Sequence, residues 1–418
     1  MRICFFNRSY WPDQAATGQL LTELAQDLVS GHGCDVSVVA GRALHGSQSA
    51  EAAVKARSGG GWPVTREAHE GVTIFRANGT RLPRRKFAGR ATNYLTYFAS
   101  AYLAARQIGP QDIVVSLTDP PILGLAALSA ARRVGARFVF LCEDIFPEVA
   151  SLIEDFHNTT VNRTLDRINR HLVREADAVI ALGDRMKRRL VEEKGAPADR
   201  VHVIHNWADC DAITPGPKDN AFARAHGLHD KFVLMHSGNV GLSQNLDLLI
   251  EAADRLRSRE RLVIAIVGDG ARRAPLEAMA AGRGLTNVRF FPYQPKELLH
   301  ESFAAADAFL VSLKPGLEGY IVPSKVYGIL AAGRPFVAAV DPSCEVAMIA
   351  AEHACGVVAP PGDPGALVTA IAALYDDPAA ARQMGDNARR ASWCYDRHAA
   401  VRAYHDLFAR LSRPSTAA

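Results

Sequence analysis

Short apolar runs recur along the chain, and segments long enough to form a helix separate them. In the first half these runs cover residues 2–6, 35–40, 112–116, 137–142 and 177–181. Continuous apolar runs of this length are typical of strands buried on both faces of a sheet. Because strands that alternate with helices form parallel sheets, the first part of the chain is predicted to be a doubly wound α/β domain.

The same alternation returns in the second half. The predicted strands there cover residues 201–204, 232–237, 262–267, 288–291, 308–311 and 336–339. Apolar spacing predicts helices over residues 18–30, 245–258, 323–332 and 396–411.

We therefore expect two Rossmann-like domains, at residues 1–195 and 196–395, with a ligand cleft between them. Residues 396–418 are expected to form a C-terminal helix and tail that pack back on the first domain. Residues 44–70 are rich in Gly, Ser and charged residues, which predicts a mobile surface loop.

The composition is that of a soluble globular protein. Of 418 residues, 48% are apolar and 22% are charged, and the net charge of +4 gives no reason to expect a nucleic-acid partner. Seven cysteines lack metal-ligand spacing, which favours a reducing cytoplasm and indicates no metal site. The N-terminal strand lacks signal-peptide character, and no apolar stretch is long enough to span a bilayer.

The loop after the first predicted strand leads into a helix at Gly18. Small residues there would let a ligand approach the backbone, and the helix N-terminus presents N–H groups to a phosphate or a sugar hydroxyl. Thr17 and Gly18 are therefore candidate donor-binding residues, although Thr17 can equally be the N-cap of the helix. The loop lacks the GxGxxG pattern expected of a nicotinamide oxidoreductase.

Two glycine-containing turns follow strands of the second domain. The first, residues 237–241 (SGNVG), precedes a helix, so its backbone amides are candidates for binding a diphosphate. A tight strand-to-helix turn is the alternative. The second, residues 268–270 (GDG), precedes Arg272, which can pair with a phosphate or simply open a solvated helix together with Arg273.

Ser324 and Lys325 follow Pro323, which is predicted to lie in the first turn of a helix. A hydroxyl, an ammonium and free backbone N–H groups in one place form an anion site. A lysine in the first turn of a helix opposes the helix dipole, so a structural reason for Lys325 is lacking and a functional one is favoured.

Glu143 and Asp144 directly follow the predicted strand at residues 137–142. Ligands of open α/β sheets bind at the carboxyl ends of the strands, so the two acids can orient a hydroxyl group of an acceptor. A polar cap on the loop is the alternative. The candidate catalytic residues are Glu143, Asp144 and Lys325.

The order and spacing of these motifs resemble the family 4 glycosyltransferases, and among them the WbuB-like subgroup that acts in bacterial exopolysaccharide, capsule and O-antigen assembly. The resemblance covers nearly the whole chain. Its motifs are Thr17-Gly18, residues 31–36 (GHGCDV), 144–148 (DIFPE), 205–207 (HNW), 238–241 (GNVG), 323–325 (PSK) and 333–335 (GRP), and the late Trp393.

The resemblance implies a GT-B fold, retention of the anomeric configuration, no cofactor and no obligatory metal. It also implies that the C-terminal domain binds the nucleotide donor and the N-terminal domain the acceptor. The candidate donor-binding residues are Thr17, Gly18, Gly238, Asn239, Gln244, Arg272, Tyr293, Glu318, Ser324 and Lys325.

The chain departs from the family pattern in its charged positions. The wider family has two glutamates with seven residues between them, and those positions are Tyr320 and Gly328 here. Glu318 can replace the first of the two. The family's diphosphate-binding Arg and Lys fall at Asn239 and Gln244.

With these charges absent, other groups must stabilise the phosphate charge that develops as a nucleoside diphosphate leaves. The candidates are Lys325, Ser324, the backbone amides at Gly238, and Arg272. A non-catalytic GT-B subunit that binds a membrane or a partner enzyme is the competing interpretation. The lost charges favour it, whereas Lys325 and the small-residue loops argue against it.

The expected activity is that of a retaining hexosyl- or N-acetylhexosaminyltransferase with a UDP-linked donor. The expected acceptor is a polyprenyl-diphosphate-linked or other saccharide in surface polysaccharide assembly. We expect a cytoplasmic protein, peripheral on the inner face of the cell membrane. The basic residues that could bind anionic headgroups are Arg81, Arg84, Arg85, Lys86 and Arg90, and aromatic and leucine residues follow them up to Leu103. A solvated charge run leading into a core helix is the alternative.

Overall fold

The computed structural model describes residues 1–13, 15–42, 63–80, 82, 87–154 and 158–413, with the backbone alone for residues 87, 88, 90 and 154. Within these residues the chain forms two compact units. The first unit contains the chain up to Glu148, residues 158–204 and the chain from Val401 on, and the second contains residues 149–154 and His205–Ala400. The chain therefore passes into the second unit after Ile204, whereas the sequence boundary was placed at residue 195.

The first unit is built on an eight-stranded sheet with the strand order β3-β4-β2-β1-β5-β6-β7-β8. Its strands are β1 (Arg2–Phe6), β2 (Asp35–Ala40), β3 (Val64–His69), β4 (Val72–Ala77), β5 (Ile113–Ser116), β6 (Arg137–Cys142), β7 (Ala178–Ala181) and β8 (Val201–Val203). All neighbouring strands are parallel except β3 and β4, which form an antiparallel pair.

Two sequence-based assignments in this sheet were wrong. Part of the loop predicted over residues 44–70 is strand β3, in which the exposed Arg66 and Ala68 alternate with half-buried residues at the sheet edge, so that no continuous apolar run marks it. Residues 44–62 of that predicted loop lie outside the described residues. Strand β8, predicted to open the second domain, pairs with β7 through Val179 and Val201 and ends the first sheet.

Fifteen helices are described. They are α1 (Ala16–Ser30), α2 (Phe87–Ala105), α3 (Leu123–Val134), α4 (Glu148–Glu154), α5 (Thr159–Glu175), α6 (Asp184–Glu192), α7 (Ala221–Ala225), α8 (Asp247–Arg255), α9 (Arg273–Gly282), α10 (Leu299–Ala304), α11 (Lys325–Ala331), α12 (Glu345–Glu352), α13 (Pro364–Asp376), α14 (Pro378–Ser392) and α15 (Arg397–Ser412). The last of them packs in the first unit, where the ring of Phe408 lies 6.3 Å from that of Phe5. Among the described helices, none is long and apolar enough to cross a membrane.

The second unit is built on a six-stranded parallel sheet with the order β11-β10-β9-β12-β13-β14. Its strands are β9 (Phe232–Ser237), β10 (Leu262–Val267), β11 (Val288–Phe291), β12 (Ala308–Ser312), β13 (Phe336–Ala339) and β14 (Gly356–Ala359). Alternate residues of β10 enter two separate cores, Val263 and Ala265 on one face and Ile264 and Ile266 on the other. Burial of both faces explains why the apolar run is continuous.

A buried cation joins three elements of the first unit. The side chain of Lys194 is 0% exposed, and its Nζ lies 2.7 Å from Glu148 Oε1 and 2.7 Å from Asp166 Oδ1. Burial alone would raise the pKa of Asp166, but hydrogen bonds from Lys194 and Arg170 lower it below its usual value. The lysine thus holds the end of the loop after β6 against helix α5.

We predict that Lys194→Met strongly destabilises the first unit. Removal of the Lys194 ammonium leaves the partly buried carboxylates of Glu148 and Asp166 without their shared cation. Breaking a buried ion pair lowers the free energy of unfolding by about 3–5 kcal/mol. Urea unfolding followed by circular dichroism measures the loss. Arg132→Met is the control, because the Arg132–Glu175 pair is exposed and its loss should cost about 1 kcal/mol or less. Equal shifts for the two variants would contradict the prediction.

Candidate functional site

Lys325 lies beside a buried histidine that is far from it in sequence. Its Nζ is 3.1 Å from Nε2 and 3.4 Å from Nδ1 of His236, at the end of β9. A Cβ atom on Gly238 would lie 3.9 Å from the same Nζ, so the ammonium also adjoins the first glycine turn. The fold therefore brings together two of the predicted donor-binding segments.

The start of helix α11 differs from the prediction. The helix begins at Lys325, with Ser324 as its N-cap, and the Ser324 side chain makes no capping hydrogen bond. Pro323 therefore precedes the helix instead of lying in its first turn. The helix has only 7 residues, so the position of the Lys325 side chain beside Gly238, and not the helix dipole, is the main feature of this site.

The charge on Lys325 is not balanced by a carboxylate within the described part of the chain. Burial lowers the pKa of Lys325 to about 7. Burial, and then the charge of Lys325, hold the pKa of His236 well below its usual value. An anion placed beside Gly238 would supply the missing negative charge.

Three backbone amides of the first glycine turn donate hydrogen bonds within the protein. The N–H of Gly238 donates to Val267 O at 2.9 Å, and the N–H of Val240 donates to Asp269 O at 2.9 Å. The N–H of Gly241 donates to Gln244 Oε1 at 2.9 Å. These three amides were candidates for binding a diphosphate. Instead, the amide of Gly238 bonds the end of β10, that of Val240 bonds the second turn, and that of Gly241 bonds a side chain of its own segment.

The two glycine turns approach each other so closely that a side chain cannot fit between them. A Cβ atom on Gly268 would lie 1.9 Å from Gly238 O, and Gly268 has a φ of 141°. A Cβ atom on Gly270 would lie 2.4 Å from Val240 O. Glycine is therefore required in the second turn by close backbone contact.

The side chains of Asn239 and Gln244 belong to this packed arrangement. The Asn239 amide would contact Cβ atoms on both Gly241 and Gly270 at 2.7 Å, so it occupies the space that the two glycines leave. Gln244 accepts the Gly241 hydrogen bond and ends a short 3-10 turn over Leu242–Gln244. At both positions a neutral amide packs where the wider family has a cation.

The two arginines after the second turn have partners within the second unit. The side chain of Arg272 forms an ion pair with Asp247 on α8, and the backbone N–H of Arg272 donates to Val240 O at 3.0 Å. Arg273 donates to Phe291 O at 2.7 Å and pairs with Glu277 at 2.9 Å. Both side chains stabilise the turn, in line with the structural alternative.

Glu318 and Tyr293 are two further donor-binding candidates of the second unit. Glu318 forms an isolated β-bridge with Ile321, and Tyr293 follows β11 with its side chain 47% exposed. At Gly328, where the wider family has a glutamate, a Cβ atom would lie 3.2 Å from the ring of Phe303. A carboxylate at that position would therefore meet an apolar core.

In the first unit, helix α1 begins one residue earlier than Thr17. Ala15 is the N-cap and Ala16 the first helical residue, so the alternative of Thr17 as N-cap was wrong. Gly18 is buried, and a Cβ atom there would lie 3.1 Å from Ser9 Cβ. Gly18 thus lets the loop after β1 pack directly on the helix.

Asp144 lies in the loop after β6, at the carboxyl end of the strand. Its N–H donates to Thr118 Oγ1 at 3.2 Å. Burial, together with the charge of Asp119, raises the pKa of Asp144 to about 7. Asp119 itself is paired with Arg8 at 2.8 Å.

The charge of Glu143 acts on Tyr404 of helix α15. Burial, and then the charge of Glu143, raise the pKa of Tyr404 on α15 well above its usual value. The two adjacent acids therefore have different surroundings.

The sequence reasoning missed His236, Asp119 and Arg8. The histidine stands in an otherwise apolar strand (FVLMHS), and a polar residue in such a run is a signal that could have been used. Asp119 and Arg8 are separated by 111 positions, and nothing in the sequence links them.

Two family models match the chain, and together they span most of it. The glycosyl transferase 4-like domain matches residues 16–207, and the domain of glycosyl transferases group 1 matches residues 218–391. The chain is 29% identical over 300 residues to the probable glycosyltransferase WbjE of Pseudomonas aeruginosa, covering 71% of this chain and 73% of WbjE. It is 40% identical over 144 residues to WcaI of Escherichia coli, a putative colanic acid biosynthesis glycosyl transferase, covering 34% of this chain and 35% of WcaI.

The fold is also found in a solved structure. HepE of Anabaena, crystallised with UDP-glucose, matches with a TM-score of 0.74 at 16% identity, covering 98% of this chain and 100% of HepE. With the glycosyl transferase 4-like and group 1 domains in this order on two α/β units, the chain belongs to the family 4 glycosyltransferases and has the GT-B fold.

Proposed function

We propose that the protein transfers a hexosyl or N-acetylhexosaminyl group, with retention of configuration, from a UDP-sugar to a polyprenyl-diphosphate-linked or other saccharide acceptor. The reaction would contribute to a surface polysaccharide. WcaI is named for colanic acid biosynthesis, and HepE binds UDP and UDP-glucose, which supports this choice of donor and product. Lys325 is the observation that carries the proposal.

The proposed role of Lys325 is to neutralise the diphosphate. Its Nζ adjoins Gly238 and has no carboxylate partner within the described part of the second unit, whereas Arg272 and Arg273 already have partners. A partly buried cation without an anion is costly, so a bound diphosphate would offset that cost. The competing interpretation, a non-catalytic subunit, gives no reason to keep this lysine.

The proposed step breaks the bond between the anomeric carbon and the oxygen of the β-phosphate and forms a bond from that carbon to the acceptor oxygen. The acceptor proton passes to the departing phosphate, so no protein nucleophile is needed. Lys325 stabilises the charge that grows on the leaving diphosphate. In the first unit, Asp144 is proposed to orient the acceptor hydroxyl, with Glu143 beside it.

Replacement of Lys325 by alanine should lower transfer about a hundredfold or more, because a key electrostatic group at the leaving phosphate is lost. Initial rates with a panel of UDP-sugars, together with UDP release in the absence of acceptor, measure the effect. Lys231→Ala is the matched control in the same unit, since Lys231 is a half-buried lysine 3.9 Å from Asp230 and far from the glycine turns in the fold. Wild-type turnover by Lys325→Ala would rule out the role. UDP-sugar turnover by neither protein would favour the non-catalytic interpretation.

Asp144→Asn should lower transfer by about tenfold to a hundredfold while UDP affinity stays within about twofold. The wild-type rate should rise as pH passes about 7, where Asp144 ionises, and the variant should lack this rise. A carboxyl group whose pKa is raised on folding loses its stabilising contribution as pH rises through that pKa, so the variant should be at least as stable as wild type near pH 8. Loss of activity therefore cannot be ascribed to unfolding. Collapse of UDP affinity, or an unchanged pH profile, would contradict the assignment.

The proposed membrane contact uses helix α2. On this helix Leu95 is 60% exposed and Leu103 is 43% exposed, which leaves an apolar stripe uncovered within the first unit. Of the predicted basic run, Arg81, Arg84, Arg85 and Lys86 lie outside the described residues, as does the side chain of Arg90. Exposed leucines that follow a cluster of cations are typical of segments that bind anionic bilayers.

Flotation with anionic vesicles at low salt should recover the wild-type protein, and recovery should fall with added salt. Changing the five basic residues to Gln should abolish recovery, because each cation near an anionic surface contributes about 1 kcal/mol. The Leu95→Ser/Leu103→Ser double variant, with the basic residues kept, should lower recovery by removing the apolar contribution. Leu298→Ser, at an exposed leucine of the second unit, should have no effect. Equal recovery with neutral vesicles would exclude electrostatic docking.

A further inference from the structure

His236 is a buried polar residue in the middle of the second sheet. Strand β9 lies between β10 and β12, and the His236 side chain is 0% exposed. Its Nε2 lies 3.2 Å from Asn239 O, in the first glycine turn. The ring therefore links the end of the strand, the turn and Lys325.

The surroundings of the ring determine which nitrogen carries its proton. A carbonyl oxygen can only accept, so the contact with Asn239 O requires a proton on Nε2. Lys325 Nζ lies 3.1 Å from this protonated Nε2 and 3.4 Å from Nδ1, so the uncharged lysine amine can accept from Nε2–H, whereas an ammonium, which can only donate, cannot. In this tautomer the neutral ring ties the lysine amine to the Gly238 turn.

Among the residues that the structure describes, no charge around this pair offsets that of Lys325. On the elements that flank the turn, Arg272 is paired with Asp247 and Arg273 with Glu277. Within the described residues, the charged group that acts on His236 is Lys325 itself. The burial that keeps His236 neutral also makes the charged form of Lys325 costly until an anion arrives.

We infer that His236 is a positioning residue that holds the Lys325 side chain beside Gly238, and that binding of a nucleoside diphosphate is coupled to uptake of one proton by Lys325. The inference rests on the proposed function, because it assigns the diphosphate to this lysine. Before binding, the lysine exists largely as the amine at mildly alkaline pH. The incoming diphosphate supplies the negative charge that makes the ammonium favourable, so the proton is taken from solvent as the ligand binds.

This coupling has a direction that can be measured. Proton uptake should be small near pH 6, where free Lys325 is already charged, and should approach one proton at about pH 8. UDP itself is fully ionised at about pH 8, since the second ionisation of a phosphate has a pKa of about 6, so the ligand does not take up this proton. UDP affinity should accordingly fall as pH rises above about 7.

The test is titration calorimetry of the full-length protein with UDP at about pH 8, in Tris and in HEPES, whose different ionisation enthalpies give the number of protons taken up. The wild type should take up close to one proton, and Lys325→Met should take up none and bind UDP at least tenfold more weakly. His236→Phe should weaken UDP about tenfold, because the ring no longer donates to the lysine and to Asn239 O and no longer holds the lysine beside Gly238. His236→Gln, whose side-chain amide can donate, should restore most of the affinity.

His202→Phe is the control, because His202 lies on strand β8 of the first unit and should leave UDP binding unchanged. Thermal melting of each variant separates misfolding from loss of the ligand, and the wild-type measurement of proton uptake needs no variant. Lys325-dependent UDP binding without proton uptake, and with His236→Phe like the wild type, would overturn the inference and leave the proposed function standing. UDP binding that is unchanged in Lys325→Met would overturn both.

Discussion

Two glycine turns meet at the carboxyl edge of the second sheet, and their backbones touch. The place that a Cβ atom on Gly268 would occupy is 1.9 Å from Gly238 O, so neither turn can move away or admit a side chain without breaking the contact. The hydrogen bonds from Gly238 and Val240 to the neighbouring strand and turn close this arrangement. The position of the first turn therefore determines where an anion can approach Lys325.

The same contact changes which groups can bind a phosphate. Because the amides of Gly238, Val240 and Gly241 already donate within the protein, they are not available as they are in an open glycine loop at a helix N-terminus. The Lys325 side chain reaches the turn from a segment almost ninety residues later in the sequence, and it is the cation that remains. In the first unit, Asp144 has an analogous character, since burial also brings its pKa to about 7. Two groups of opposite charge type can thus change protonation near neutral pH.

The sequence predicted most of the fold because its signals are local. Strands such as β10 are buried on both faces, and their apolar runs are continuous, so both sheets were found. Strands β3, β4 and β14 were not predicted. Strand β3 alternates exposed with half-buried residues at a sheet edge and has no apolar run, whereas the short apolar segments of β4 and β14 were left unassigned. Strand β8 was given to the wrong unit because only pairing with β7 decides its place.

The candidate site was predicted only in part, for a different reason. Lys325 and Gly238 were chosen from local motifs, and their proximity depends on tertiary structure. His236 was missed because a histidine in an apolar strand acquires its role only through Lys325 and Asn239. The use of the glycine amides and of Arg272 could not be foreseen, because hydrogen-bond partners distant in sequence leave no periodic pattern.

The departures from the wider family fit together physically. The resemblance places an arginine and a lysine of the family at Asn239 and Gln244, and here both amides pack inside the turn that contacts Gly270. A Cβ atom at position 328 would lie 3.2 Å from the ring of Phe303, so a glutamate there would require that ring to shift. Loss of the two cations and of one carboxylate leaves a site whose charge rests on one lysine. A site with one partly buried lysine next to a neutral imidazole carries less permanent charge than a site with an arginine and a lysine. Its lysine can take up a proton when the ligand binds instead of being charged beforehand.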